Sequence, residues 1–134
     1  MEIKSADGWI RVQGGYFVYT PNGTGTGLAI TPLVTRDGQG NLVTDKRQWN
    51  ITHLKSGLAM AGPYPSVEET RRLASILAQV DWRRDADALS RREVAASQQV
   101  IQAYNEALEE ARAKGGDRAL AGSGKQPASL FRIR

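Results

Sequence analysis

The chain has 134 residues, 40% hydrophobic and 24% charged, which fits one domain with a single modest core. It holds no cysteine and one histidine, which excludes disulfides and thiolate metal sites and leaves little material for acid–base chemistry. The net charge of +4 is concentrated in residues 115–134, with four basic and one acidic group, so the body is close to neutral and the tail attracts phosphate only non-specifically.

Residues 1–7 read as a short lead. Residues 8–13 alternate as a strand, Gly14 and Gly15 turn the chain, and residues 16–20 return, which predicts a tight hairpin. Residues 21–27 carry three glycines and one proline among threonines and read as a flexible loop. Residues 28–35 form a third strand, with Pro32 at an edge or a bulge. A turn at 37–41 leads to a short return strand at 42–44, and residues 45–48 lead onward.

Residues 49–82 are the best-defined stretch. Trp49, Ile51 and His53 alternate with Asn50, Thr52 and Leu54, as in a strand. Gly57 turns the chain into a second strand at 58–61, and Gly62, Pro63, Tyr64 and Pro65 stop it. Ser66 and Glu69 then make a capping box, and Val67, Leu73, Ile76, Leu77 and Val80 share one helical face. That face is expected to pack on the sheet side carrying Trp49 and Ile51.

A second capping box, Ser90 with Glu93, opens a helix that runs to Lys114 and stops at Gly115 and Gly116, with Asp85 as the alternative start. Val94, Ile101 and Leu108 recur every seven residues, so the stripe belongs on the first helix or in a subunit interface. Two dozen residues span about 35 Å at 1.5 Å each, more than a small sheet covers, and a homo-oligomer through residues 90–114 is the expectation. The fold class is therefore α+β: about five antiparallel strands in one domain over 1–114, helices near 66–80 and 86–114, and a flexible basic tail over 115–134. Within that tail, Ser129 to Arg134 alternates apolar and basic residues, as an added strand or a partner-binding end would.

Chemical constellations are few. The glycines at 23, 25 and 27 match neither phosphate-loop pattern, and no helix follows them, so a hairpin loop is the plainer reading. His53 has no second copy of its motif and reads as packed or hydrogen-bonded. Asp85 and Asp87 suit a helix start better than a cation site. Three arginine pairs, Arg71 with Arg72, Arg83 with Arg84 and Arg91 with Arg92, read either as a solvated face balanced by nearby acids or as a phosphate clamp, since guanidinium forks match phosphate oxygens. Trp49, Tyr64 and Trp82 read as core or rim residues that, beside arginines, can stack on bases.

The pattern Trp-x-Ile-Thr-His-x-x-Ser-Gly from Trp49, followed by Gly62-Pro63-Tyr64 and a helix ending in Asp81-Trp82, resembles a unit that recurs in small proteins of phages and mobile elements. It covers about a quarter of the chain. The layout of an N-terminal antiparallel sheet and two C-terminal helices is also similar to the phage anti-Thoeris sponge proteins. That resemblance implies an oligomer that binds a cyclic ADP-ribose-type signal without cleaving it.

The expected function is accordingly a non-enzymatic, phage-type counter-defence protein in the host cytoplasm that sequesters a cyclic nucleotide-like molecule. Arg47, Trp49, Tyr64, Arg71, Arg72, Trp82, Arg83 and Arg84 are the expected ligand-binding residues. No cofactor, metal or membrane is expected. The alternatives are an inhibitor that binds a host nuclease or RNA polymerase directly, using the tail or the sheet edge, and a nucleic-acid-binding protein.

Overall fold

The computed structural model of the protein describes residues 1–5 and 8–115. Strands β1 (Glu2–Ser5) and β2 (Gly8–Arg11) pair antiparallel as a two-stranded ribbon. Strands β3 (Tyr16–Tyr19), β4 (Gly25–Arg36), β5 (Leu42–His53) and β6 (Leu58–Tyr64) form an antiparallel sheet in that order. Helix α1 (Val67–Leu77), a 3₁₀ turn at Ala86–Ala88 and helix α2 (Arg91–Gly115) follow. The class is α+β, strands first and helices after, with the second helix long. The expected tail falls, from residue 116 on, outside the described residues.

The predicted hairpin between residues 8–13 and 16–20 is not formed. β2 pairs back onto β1, drawn from the expected lead, and β3 pairs forward onto β4. The predicted strands at 42–44 and 49–54 are one strand. Opposite it, Pro32 sits against Trp49 and Leu33 against Asp45, so Lys46, Arg47 and Gln48 pass as a bulge without partners on β4. Pro32 has no N–H to give to a ladder, which favours the break there. The carboxylate of Asp45 accepts from the Arg47 amide at 3.0 Å and the Gln48 side chain at 3.3 Å, replacing the lost ladder bonds. β6 continues past the expected stop to Tyr64, which an edge strand tolerates.

One face of the sheet carries the core. Leu28, Ile30, Trp49, Ile51 and Tyr64 pack with Leu73, Ala74 and Leu77 of α1. The buried stripe of α1 is Thr70, Leu73, Ala74 and Leu77, the i, i+3, i+4, i+7 spacing of one face. Ile76, expected on that face, is 48% exposed. At 100° per residue it falls about 60° outside the stripe, beyond Leu73. The Ser66 side chain accepts from the Glu69 amide at 3.2 Å, so the cap is where the sequence puts it. At the other end the Trp82 indole, fully buried, donates to the Leu77 carbonyl at 2.6 Å and satisfies an orphan helix acceptor.

α2 begins at the second capping box and not at Asp85. The Ser90 amide donates to the Glu93 carboxylate at 2.9 Å, and the Glu93 amide to Ser90 Oγ at 3.1 Å. Ile101 belongs to the main core, with Val100, Tyr104 and Leu108 packed against it. Tyr64 Oη donates to Asn105 Oδ1 at 2.6 Å, and the Tyr64 and Tyr104 rings meet edge-on at 5.3 Å. Two members of the heptad stripe, Ile101 and Leu108, thus have partners inside the chain.

The opposite sheet face presents small residues. Ala29, Thr31, Thr52 and Ala59 are buried there, with a 2.8 Å bond between the Thr31 and Thr52 hydroxyls. On the ribbon, Ile3 and Val12 are buried outside the helix-side cluster, and the Lys4 amide donates to the Gly57 carbonyl at 2.7 Å. The glycine-rich segment, expected as a loop throughout, enters β4 at Gly25. Gly27 sits at φ +88°, and a Cβ there would lie 2.3 Å from the Trp82 carbonyl carbon, so only glycine admits the chain segment after α1.

Candidate interaction surface

β3 is an edge strand: among the described residues its only ladder partner is β4. Its sequence, Tyr16-Phe17-Val18-Tyr19, carries no charge, and both faces are apolar. Tyr16 pairs with Ile30 and Phe17 with Ala29, so Tyr16 and Val18 stand on the helix side, and Phe17 and Tyr19 on the other. Val18 is buried, whereas Tyr16, Phe17 and Tyr19 are 46%, 53% and 60% exposed.

The backbone of β3 has a definable open side. The Val18 carbonyl accepts from Thr26 Oγ1 at 2.7 Å, and the Thr20 amide donates to the Thr24 carbonyl at 2.8 Å, so the even-numbered residues face β4. In an antiparallel ladder, alternate residues point the opposite way. Phe17 and Tyr19 therefore direct their N–H and C=O groups away from the sheet.

Two cations border the Tyr16 end. The Arg71 guanidinium lies over the Tyr16 ring, 5.7 Å from its centroid, and the ring rests 5.9 Å from Trp49. The Lys46 side chain crosses Gly14, where a Cβ would come within 3.1 Å of Cε. Gly14 is two residues from Tyr16, at most about 7 Å of extended chain. Neither Arg71 nor Lys46 has a carboxylate partner among the described residues.

The eight residues expected to bind a ligand do not converge. Trp49, Tyr64 and Trp82 are 6%, 4% and 0% exposed; they are core residues and offer no stacking face to solvent. Burial pushes the Tyr64 hydroxyl well above its ordinary pKa. Arg47 stands out from the β5 bulge and pairs with Asp45 at 3.1 Å. Arg83 grips Asp81 through two bonds of 2.9 and 3.0 Å. Arg84 bonds Glu93 at 2.7 Å and the Asp81 carbonyl at 2.9 Å. Those arginine contacts hold the Asp81 and Glu93 carboxyls down at about 2. Arg71 and Arg72 leave α1 on opposite flanks: Arg71 reaches Tyr16, and Arg72 acts on Tyr104 of α2. Of the eight, Arg71 and the buried Trp49 touch Tyr16, and only Arg71 does so from the surface. Tyr16, Phe17, Tyr19 and Lys46 were absent from the expected set, although a four-residue apolar run without alternation is itself a signal of a strand with no solvated face.

His53 is a structural tie. Its ring is fully buried, edge-on to Trp82 at 6.0 Å, with Nε2 2.9 Å from the Arg84 carbonyl and Nδ1 2.8 Å from Ser56 Oγ. Asp85 sits 4.0 Å from Lys55 Nζ. Among the described residues no group of three or more His, Cys, Asp or Glu side chains is placed to hold a metal ion, and no helix is long and apolar enough to cross a membrane. No protein family, curated protein or solved structure matches the chain.

Proposed function

We propose that this protein is a non-enzymatic binding protein that acts by engaging another protein, and that β3 is its docking edge. The observation that carries this is the open side of β3, where Phe17 and Tyr19 present backbone groups with no partner among the described residues, together with half-exposed aromatic rings. An extended segment laid along that edge gains ladder hydrogen bonds, and its side chains pack beside the rings. The other edge is poorly suited: β6 contains Gly62 and Pro63, and the ribbon ties onto the turn that precedes it. His53 supports a role other than catalysis, since both of its ring nitrogens are engaged internally.

The test is photo-crosslinking from benzoylphenylalanine placed at Phe17, with the same probe at Arg92 as control, in extract of the native cell. The reading requires an adduct from position 17 that Tyr19→Pro abolishes. Proline there removes an outward donor but no bond to β4, so the fold is retained. Equal adducts from both positions, or an adduct indifferent to the proline, contradict it.

A second reading, sequestration of a cyclic nucleotide-like ligand, is favoured by one observation: Arg71 lies over the half-exposed Tyr16 ring, with Lys46 at Gly14 two residues away. Calorimetry with cyclic ADP-ribose isomers and cyclic oligonucleotides decides it. Stoichiometric binding lost in Arg71→Ala supports that reading, and silence with every ligand removes it.

A further inference from the structure

Resting on the partner-binding reading, we infer that the β3 edge selects an extended partner segment of alternating chemistry, with large apolar residues opposite Phe17 and Tyr19 and a carboxylate opposite Tyr16. The two faces of β3 differ, and an added strand must match both.

Residues directly opposite each other in a ladder project to the same face. Partner residues hydrogen-bonded across from Phe17 and Tyr19 therefore stand beside two aromatic rings on the side away from α1. Aromatic and β-branched residues pack there, and a charged one would be desolvated without a partner. The residue opposite Tyr16 projects to the helix side, where the Arg71 guanidinium covers the tyrosine ring and Lys46 lies at neighbouring Gly14. An aspartate or glutamate at that position meets the Arg71 cation, with the positive charge of Lys46 two residues back along the strand end. Glu69 and Glu68, two and three residues before Arg71 on α1, are the nearest acidic residues in sequence, and neither forms an ion pair with Arg71.

The same charges argue against a second copy as the occupant. Pairing β3 with itself about a two-fold axis runs the two strands antiparallel, and the residue met by Tyr16 then comes from the uncharged segment 16–22, so no carboxylate reaches Arg71. An acidic partner supplies that match, and the requirement for one residue of a given charge at one end fixes the direction and register of the added strand.

The experiment uses the full chain and two blocked eight-residue peptides, one alternating valine or tyrosine with glutamate, the other with lysine in place of each glutamate. Affinity is read by fluorescence anisotropy at low and at high salt. The glutamate peptide should bind at least about tenfold more tightly at low salt, with the gap closing as salt screens the pair. Arg71→Glu should reverse the preference, and Arg71→Ala should erase most of it. Equal binding of the two peptides, or a preference untouched by Arg71→Glu, overturns the inference while leaving strand addition intact. Failure of both peptides to bind also overturns it, and the position-17 adduct then decides separately whether the partner reading survives.

Discussion

The Nε2 of His53 stands 2.9 Å from the backbone oxygen of Arg84, thirty-one residues away in the chain. A carbonyl can only accept, so Nε2 carries the proton, and in the neutral ring Nδ1 accepts from the Ser56 hydroxyl. This bond and the Trp82 indole fasten the segment between the helices onto the end of β5. Burial at this site favours the neutral imidazole.

Burial lowers the His53 pKa below its ordinary 6.5 in the folded chain. The unfolded chain takes up the proton first, so the stability contributed by neutral His53 is complete above that value and is lost as pH falls through the folded pKa. The melting temperature should decline between pH 7 and 5. His53→Gln should cost about 1–3 kcal/mol at pH 7 and flatten the profile in that window. An unchanged slope in the variant would assign the acid sensitivity to other groups.

Gly27→Ala tests the close approach of Trp82. A Cβ 2.3 Å from the Trp82 carbonyl carbon and a positive φ act together. Overpacking and left-handed strain together should cost roughly 2–4 kcal/mol in urea unfolding. A loss below 0.5 kcal/mol, on the order of an ordinary surface change, would mean that the segment after α1 sits elsewhere.

Ile101 and Ile76 separate core from surface. Ile101→Ala should cost about 2–4 kcal/mol, because the side chain fills the cluster shared by the sheet and both helices. Ile76→Ala should fall within about 0.5 kcal/mol. Ile101→Asp should unfold the chain, read by circular dichroism. Dispersal of a folded oligomer by that change, read by sedimentation, would instead restore the subunit-interface role expected for the heptad stripe.

Much of the fold was legible because its signals are local. Ser66 and Ser90 announce helix starts by residue type and spacing alone; the Ser90–Glu93 box closes in both directions, and at Ser66 the serine half of the box forms. The pairing of β2 was not legible: two glycines after Gln13 license a hairpin, but the choice between β1 and β3 depends on which neighbour buries Ile3 and Val12. The 42–53 strand was split because the Lys46–Gln48 bulge looks like a loop until the Asp45 carboxylate is seen to take its amides. The candidate site was least legible. Trp49, Tyr64 and Trp82 drew attention as large aromatics, yet their size is what places them inside; Tyr16, Phe17 and Tyr19 stay outside because β3 has, among the described residues, a ladder neighbour on one side only.

Amide hydrogen exchange by NMR on the full chain, with and without the glutamate peptide, tests the central claim most directly. In the free protein the Phe17 and Tyr19 amides should exchange quickly and those of Ala29 and Ile30 slowly. Addition of the peptide should slow Phe17 and Tyr19 above all other residues. Protection that appears on α2 or at the β5 bulge, with the Phe17 and Tyr19 amides unchanged, would contradict β3 as the docking edge.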